Sequence, residues 1–466
     1  MKTITSFDDL LSEKIKFGKY QYITTLFCGC LYACEACELT SISLTLPILK
    51  NDLKVSTTYM TSLASLLFFG IFLGSTFSGF ILDNFGRLRL LNLTSLFLLI
   101  VGVTSAFVHD RMIFLLLRFI IGLLIGLQML VGYVIMTEIS TKEIRGKANV
   151  RMVGFWTIGG LISVLIATFT ITDLSTGNWR VLLGISAVPN LPLFLGSYLY
   201  MYESPRFLII VGKIDEAINS LNKIGQLNNG NNYKDINDFE KEKLVKWGES
   251  QKQVKRASIM ELFAPEVRKE TILIWTISLS ANFIYYGIIF ISPMLLNLVP
   301  SNSSPISSGL LGFTIIVFGE LPGIIFVYYI IDNPNFGRKK SLMYSSIGNV
   351  IVFSFACYLT IDWITLLFFF AKSFVLMTCL LVQQYTADLY STSIRGLGLG
   401  WYNAIGKIAS MLMPMIITPS FAISPLLSLT IFAGFALLGA LFSYFLKDDL
   451  TGKAIDQISV ELLDYY

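Results

Sequence analysis

The stretch Gly79-Phe80-Ile81-Leu82-Asp83-Asn84-Phe85-Gly86-Arg87 follows a long apolar segment and places an acid, a glycine and a base close together. A similar group, Asp332-Asn333-Pro334-Asn335-Phe336-Gly337-Arg338, follows another apolar segment. Charged turns of this kind are expected where the chain leaves one membrane helix and enters the next, because a glycine allows a tight reversal. The second group has four residues between its acid and its glycine where the first has two, so its pairing is expected to differ.

A second pair of charges repeats at the same distance along the chain. Glu138 precedes Arg145, and Asp388 precedes Arg395, 250 residues later. Four matched features at an offset of 249 to 251 residues are hard to obtain by chance. The sequence therefore predicts a tandem duplication, with a solute path between the two halves near the middle of the membrane.

The composition restricts the chain to the membrane. Its 466 residues are 54% hydrophobic and only 14% charged, against roughly a quarter charged in an ordinary soluble domain. The net charge of +4 is too small to indicate a nucleic-acid partner. The single histidine, His109, argues against a histidine metal site, and no cofactor or metal is predicted.

Twelve apolar runs are long enough to cross a bilayer, which takes about 20 residues. They span 22–46, 58–82, 90–108, 112–138, 148–170, 180–201, 271–298, 307–331, 341–360, 363–388, 396–420 and 425–446. Of the 35 basic residues, 28 fall on the side of the N-terminus, 4 on the other side and 3 within spans. The excess of basic residues predicts that both termini are cytoplasmic.

The predicted fold is an all-α membrane protein with twelve transmembrane helices in two pseudo-symmetric six-helix bundles. Residues 1–201 form the first bundle, 202–270 a cytoplasmic linker, and 271–466 the second bundle with a tail. Within the linker, 212–221 has the spacing of a short amphipathic helix, and the charged segment 235–256 is expected to form another. The asparagine-rich run 228–232 is expected to be flexible.

The repeated charges have a mechanical interpretation. Located at the cytoplasmic ends of the spans, they are expected to hold the two halves together in one state and to separate in another. The alternative is that they only mark helix ends and orientation. The predicted gating residues are Asp83, Arg87, Glu138, Arg145, Asp332, Arg338, Asp388 and Arg395.

Further motifs occur around the spans. They are Arg118 to Gly126 in span four, Glu203 to Leu208 after span six, and Thr451-Gly452-Lys453 near the C-terminus. Together with Gly79 to Arg87, they make the chain resemble the major facilitator superfamily over almost its whole length, and its sugar and organic-ion porters in particular.

Finer matches resemble the branch of synaptic-vesicle-2-related proteins, with the organic ion transporters as neighbours. They are Gly18 with Gln21, Glu35 with Glu38, Asn282 with Tyr285-Tyr286-Gly287, Glu320-Leu321-Pro322-Gly323, and Arg395 to Gly400. The resemblance implies alternating-access movement of a small organic solute. Two departures are Glu35, where that branch usually has aspartate, and Lys407, where it usually has arginine. The branch is chemically diverse, so it does not identify the solute.

Ionisable residues inside spans are costly and usually mark function. Away from the helix ends they are Glu35, Glu38, Glu320, Arg118, Lys372 and Lys407. Glu35 and Glu38 are three residues apart and share a helix face. Two carboxylates this close in a medium of low dielectric constant cannot both ionise cheaply, which makes proton coupling plausible. The alternative is a structural pair in which each acid is bridged to Arg118 or Lys407.

Lys407 lies near the predicted midplane, where an ammonium requires an acid or an anionic ligand. We favour an anionic or zwitterionic organic substrate over a permanent bridge to a glutamate. Arg118 is expected to be structural, and the role of Lys372 is left open. Glu320 is expected to be either a coupling acid or the partner of Lys372, in a helix kinked near Pro322.

Uncharged polar residues complete the candidate site. The substrate-binding candidates besides Lys407 are Gln128, Tyr285, Tyr286, Asn282 and Asn403. Aromatic faces and amides of this kind line cavities for ring-containing solutes, whereas the alternative is hydrogen bonding between helices. A cavity position is favoured for Tyr286 and Gln128, and a packing position for Gln383.

The sequence thus predicts a secondary-active transporter of a small organic solute and not an enzyme, since His109 alone supplies neither a nucleophile–base set nor a metal site. No GxxxxGK[ST] motif occurs, which excludes transport driven by ATP.

 The open alternatives are an organic cation or sugar transporter, and a non-transporting membrane receptor or partner protein that keeps the fold. The expected partners are the solute, protons and the lipid bilayer, with the chain a monomer in the plasma membrane or an organelle or vesicle membrane. Asn302 is a candidate glycan acceptor, with an unmodified turn as the alternative.

Overall fold

The computed structural model describes residues 7–141, 144–253, 258–298, 309–331, 337–356, 363–390 and 394–447. Ten helices in this part of the chain are long and apolar enough to cross a membrane. Two more, Lys19–Asp52 and Arg338–Ala356, complete the twelve spans. The predicted all-α membrane fold with twelve spans is confirmed.

The first six spans match their predicted positions to within a few residues. They are Lys19–Asp52, Thr57–Phe85, Arg87–Phe107, Arg111–Ile139, Arg145–Thr170, and a sixth built from Trp179–Ala187 and Asn190–Tyr200. Span one continues past Pro47, where the apolar run was expected to end. A proline inside a helix removes one backbone hydrogen bond, here the bond to the Ser43 carbonyl oxygen, and membrane helices tolerate such a proline. The Ser43 and Thr45 hydroxyls donate to other carbonyl oxygens nearby, those of Thr40 and Ile42.

The second six spans follow the same order. They are Arg268–Leu296, an eighth built from Gly309–Phe318 and Glu320–Ile330, then Arg338–Ala356, Ile364–Leu389, Arg395–Ile423 and Pro425–Tyr444. The predicted kink in span eight falls at Gly319, one residue before Glu320. A Cβ at Gly319 would lie 2.4 Å from the carbonyl oxygen of Phe369, so the break brings span eight close to span ten.

Small residues bring spans two and four into direct backbone contact. A Cβ at Gly122 would lie 2.1 Å from the Leu67 carbonyl oxygen, and one at Gly126 would lie 2.2 Å from that of Ile71. Gly70 and Gly74 face span four equally closely. Each helix therefore presents a Gly-x-x-x-Gly face to the other, an arrangement that packs membrane helices tightly.

The two sets of six spans meet along an interface that we call the seam. Span two packs on span eleven, span one on span seven, and span five on both parts of span eight. We call the membrane face where span one begins the basic face. The other face is the opposite face, which carries an antiparallel hairpin of strands Ile171–Asp173 and Thr176–Gly177 between spans five and six.

Short helices cover the basic face. They are Phe7–Leu10, the π-helix Leu11–Ile15, Pro205–Val211, Ile214–Asn229 and Asp238–Gln253, with 3₁₀ turns at Gly230–Asn232 and Ile259–Phe263. Their apolar side chains form a second core, separate from that of the spans, around Phe7, Leu11, Phe207 and Leu221. Ion pairs from Arg206 to Asp8 at 2.7 Å and from Lys14 to Glu240 at 2.5 Å join the N-terminal segment to these helices.

The expectation that 228–232 is a flexible linker is wrong. Asn228 accepts a hydrogen bond from the Tyr20 backbone N–H at 2.9 Å, and its amide donates to Gln21 Oε1 at 2.8 Å. The same amide donates to the carbonyl oxygen of Lys16 at 3.0 Å. Composition suggested a solvated loop, whereas asparagine side chains bond readily to backbone groups when a chain segment passes close by.

Candidate functional site

Span one places its two acids in the interior. Glu35 and Glu38 are both buried, in a helix that is covered by neighbouring helices along most of its length. Within the described part of the chain, neither carboxylate oxygen of Glu35 has a hydrogen-bond partner. Glu38 Oε2 accepts from Ser186 of span six at 3.0 Å, while its Oε1 has no partner among the same residues. Both acids therefore lie inside the protein, away from lipid.

Lys407 of span eleven faces span seven across a short distance. Its Nζ donates to the Tyr286 hydroxyl at 2.6 Å, and the side chain is buried. Among the described residues, no carboxylate lies within the 4.0 Å of an ion pair with Lys407, and Glu35 attracts it only at longer range. The permanent lysine–glutamate bridge considered for Lys407 is absent from this part of the structure.

Glu320 lies in a cluster of polar groups at the seam. It forms an ion pair with Lys372 at 2.6 Å, and the Tyr285 hydroxyl donates to the same oxygen, Oε1, at 2.6 Å. Thr157, which belongs to span five, donates to Oε2 at 2.7 Å. Of the two roles expected for Glu320, the geometry shows the partner of Lys372. The cluster also joins the two halves, because Thr157 lies in one and Glu320 in the other.

Aromatic side chains cover these polar groups on the seam. Phe68 contacts Tyr286 edge-on at 4.9 Å between ring centroids, and it lies 5.6 Å from Phe290. Trp156 lies 6.2 Å from Tyr285. The cavity beside Glu320 and Lys372 has room for about one water molecule. The structure is therefore closed around the charged groups at mid-membrane.

Arg118 lies in span four beside span three. Its guanidinium bonds to the Ser105 hydroxyl and lies 4.9 Å from the centroid of the Phe114 ring. Glu38 is the acid that attracts it most, without forming an ion pair within 4.0 Å. These contacts agree with the structural role expected of Arg118.

Two of the predicted substrate-binding residues lie in helix packing. Gln128 is fully buried and donates to Ser95 of span three at 2.7 Å. Asn282 donates to the Ser278 carbonyl oxygen at 2.9 Å and lies against Gly406. We favoured a cavity position for Gln128, but in the structure its amide bonds to Ser95 on the neighbouring helix.

Asn403 and Gln383 line a cavity at the seam, in the half of the molecule nearer the basic face. Tyr32 and Tyr133 lie on the other side of the same cavity. Its volume of about 70 Å³ holds a few water molecules. Gln383, for which packing was favoured, therefore lines a cavity, because its helix turns that face toward the seam.

The charges at the basic face form a network within the first half. Arg87 forms ion pairs with Asp83 at 3.3 Å and Glu138 at 3.1 Å. Glu203 accepts from the backbone N–H groups of Arg87 at 3.0 Å and Leu88 at 3.1 Å, which caps span three. All these residues precede span seven. The ion pairs therefore join helices within the first half, whereas we expected them to join the two halves. The reason is the tight turn at Gly86, which keeps Arg87 next to the end of span two.

The second half has a corresponding pair between Arg338 and Asp388, on spans nine and ten. Asp332 and Asn302 lie outside the described residues, and the side chains of Arg145 and Arg395 are likewise not described. The pairs Arg87–Glu138 and Arg338–Asp388 occupy equivalent positions in the two halves, as the duplication implies.

The fold and the paired charges agree with one family of proteins. The family model described as "Sugar (and other) transporter" matches residues 17–462, which is nearly the whole chain. The chain belongs to this transporter family. It is thus a transporter of the major facilitator superfamily and not an enzyme, and it is an integral, multi-pass membrane protein.

Relatives within the superfamily cover most of the chain at low identity. The Synaptic vesicle 2-related protein of Bos taurus is 28% identical over 472 residues, covering 96% of this chain and 82% of its own length. The Organic cation/carnitine transporter 7 of Arabidopsis thaliana is 27% identical and covers 86% and 85%. The Niacin transporter NiaP of Acinetobacter baylyi is 26% identical and covers 88% and 90%.

Solved structures of this superfamily show the same fold. The proton:xylose symporter XylE bound to 6-bromo-6-deoxy-D-glucose matches with a TM-score of 0.73 at 21% identity, covering 95% of this chain and 99% of its own. The inward open conformation of XylE from E. coli matches with a TM-score of 0.71 at 19% identity, with the same coverage.

Sequence reasoning missed the small hydroxyl residues of this transporter's interior. Ser186 and Thr157 bond to Glu38 and Glu320, yet each is an ordinary small polar residue in an apolar helix. Glu203 was identified only as part of a motif. The available signal was an acid directly after span six, on the membrane face where other helices begin, since acidic side chains stabilise helix N-termini.

Proposed function

We propose that this transporter moves a small organic anion or zwitterion that contacts Lys407, with protons bound by Glu35 and Glu38. In this proposal, residues 1–201 rock against residues 271–466 about the seam, and the basic face is cytoplasmic. The paired charges at the basic face join helices within each half, so in this proposal they stiffen each half, which then moves as a unit.

The observation that carries the proposal is the contrast between two buried lysines. Lys372 is neutralised by Glu320 at 2.6 Å, whereas Lys407, among the residues that the structure describes, bonds only to the neutral hydroxyl of Tyr286. A buried ammonium without a carboxylate partner is costly, and an anionic group on a solute would offset that cost. Niacin and carnitine, the solutes in the names of two relatives, each carry a carboxyl group.

Glu35 supports the proton-coupling part. Both of its oxygens are buried without a hydrogen-bond partner in the ranges that the structure describes, and an ionised carboxylate in that position would cost several kcal/mol. The protonated form fits the closed conformation better. We infer that Glu35 releases its proton when the seam opens to water or when it approaches Lys407.

The substrate assignment is tested by uptake into proteoliposomes. Radiolabelled nicotinate, carnitine, tetraethylammonium and xylose are supplied to the wild type, to Lys407→Met and to the control Lys50→Met, whose side chain is exposed at the opposite face. We expect Lys407→Met to reduce uptake of the carboxylate solutes roughly tenfold, since a lost charged contact is worth about 1.5 kcal/mol or more. Unchanged carboxylate uptake in Lys407→Met, or uptake of xylose or the cation alone, would contradict the assignment.

Proton coupling is tested in the same vesicles with an imposed pH gradient. Glu35→Gln mimics the protonated side chain permanently. We expect it to abolish accumulation driven by the gradient while exchange of labelled for unlabelled solute continues. A wild type that accumulates solute equally with and without the gradient would remove the coupling role.

A further inference from the structure

A groove opens sideways from the seam toward the lipid, in the half of the molecule nearer the basic face. Spans one and five form one wall, and span eight forms the other. Its volume of about 700 Å³ lies within the range of pockets that hold small molecules. We call it the lateral groove. Its lining is mostly apolar and includes Tyr22, Leu26, Gly154, Ile325, Tyr328 and Tyr329.

The walls of the lateral groove are exposed to the surroundings of the protein. The exposed fraction is 59% for Tyr22, 56% for Ile325 and 74% for Tyr329. The lateral groove is deep at Gly154, because glycine has no side chain to fill it. A Cβ at this position would have one neighbour within 4 Å, the Ile324 side chain at 3.9 Å. Since these residues belong to membrane spans, the surroundings are lipid. Tyrosines at such a position are typical of the boundary between acyl chains and headgroups.

One cation lines the lateral groove. Arg151 Nη2 donates to the Tyr328 hydroxyl at 2.9 Å, across the seam from span five to span eight. No carboxylate in the described ranges forms an ion pair with Arg151, although a guanidinium has five N–H donors. Arg151 lies six residues into its helix, about 9 Å along the axis from the basic-face end of span five.

We propose that the lateral groove binds one anionic phospholipid, whose phosphate contacts Arg151 and whose acyl chain lies along Tyr22, Gly154 and Ile325. The apolar walls fit an acyl chain, and the Arg151 guanidinium, which has a tyrosine hydroxyl but no carboxylate as its partner among the described residues, fits an anion. A phospholipid of the adjacent leaflet supplies both. Because the groove is lined by both halves, a bound lipid contacts spans one, five and eight at once. It stabilises the conformation in which those spans are close together.

The test measures lipid retained by the purified protein in native mass spectrometry, after extraction from membranes of phosphatidylcholine with phosphatidylglycerol. We expect one phosphatidylglycerol per chain in the wild type. Arg151→Gln removes the charge, and Gly154→Leu fills the groove; each is expected to lower retention at least fivefold. Two control variants are expected to retain it: Arg89→Gln, at an exposed basic-face position, and Gly434→Leu, at a site with nothing within 4 Å.

Two further arms identify the ligand. Soluble glycerol phosphate is expected not to compete, because it lacks the acyl chain. Arg151→Lys is expected to retain more lipid than Arg151→Gln, which separates loss of charge from loss of folding. Equal retention of phosphatidylcholine, displacement by glycerol phosphate, or wild-type retention in both Arg151→Gln and Gly154→Leu would overturn the proposal.

Discussion

At the scale of single residues, the interior charges differ in how they are compensated. Among the described residues, Glu320 has three partners, from spans five, seven and ten, whereas Glu35 has no hydrogen-bond partner. A residue with full compensation stabilises one arrangement of the helices. A residue without it is available for a proton or a solute, which is why we place structure at Glu320 and coupling at Glu35.

Glu320→Gln is expected to destabilise the protein by roughly 3 kcal/mol, since it leaves the buried ammonium of Lys372 without its counter-charge. Thermal unfolding in detergent measures the loss. The matched control is the double variant Glu320→Leu with Lys372→Leu, which removes both charges and is expected to lose less. A single variant as stable as the wild type would show that the pair contributes nothing to stability.

At the scale of elements, close helix contact depends on glycines at particular positions. Gly126→Ala would bring a methyl group to within 2.2 Å of the Ile71 carbonyl oxygen, so spans two and four must separate. We expect a loss of about 1–3 kcal/mol in thermal unfolding. Gly434→Ala serves as the control, because open space surrounds that position and no loss is expected. Equal stability of the two variants would contradict close packing at Gly126.

The N-terminal segment and the helix Ile214–Asn229 form another such contact through Asn228. Asn228→Ala removes the acceptor of the Tyr20 backbone N–H and a donor to Lys16. Hydrogen exchange at Tyr20 and its neighbours is expected to become roughly tenfold faster, for a loss of about 1.4 kcal/mol in local stability. Asn231→Ala, at an exposed position in the same run, is expected to leave exchange unchanged. Unaltered exchange in Asn228→Ala would show that the segment is held by its apolar contacts alone.

At the scale of the whole molecule, twelve spans place the beginning of span one and the end of span twelve on the same face. Thr172→Cys, in the hairpin of the opposite face, is expected to react with a membrane-impermeant maleimide in intact cells. Asn231→Cys, on the basic face, is expected to react only after the membrane is opened. The quantity measured is the labelling of each variant minus that of the wild type, which has six cysteines of its own. The reverse pattern would invert the proposed orientation.

The apolar runs, the repeated charges and the motifs were sufficient to predict the spans and the family, because membrane helices must be long and apolar whatever surrounds them. They also identified the intramembrane acids and bases, since few such residues occur. Gln128 and Gln383 were assigned the wrong way round between cavity and packing, because the two roles require the same residue type and differ only in the direction of the side chain.

By itself, the sequence determined how many times the chain crosses the membrane and which charges lie within it. The tertiary structure alone decided which charges meet: Glu320 with Lys372, Arg87 with Glu138, and Lys407 with a tyrosine hydroxyl. The reason is physical. Hydropathy acts on each helix separately, whereas the partner of a buried charge depends on how far each helix is rotated and shifted against its neighbours.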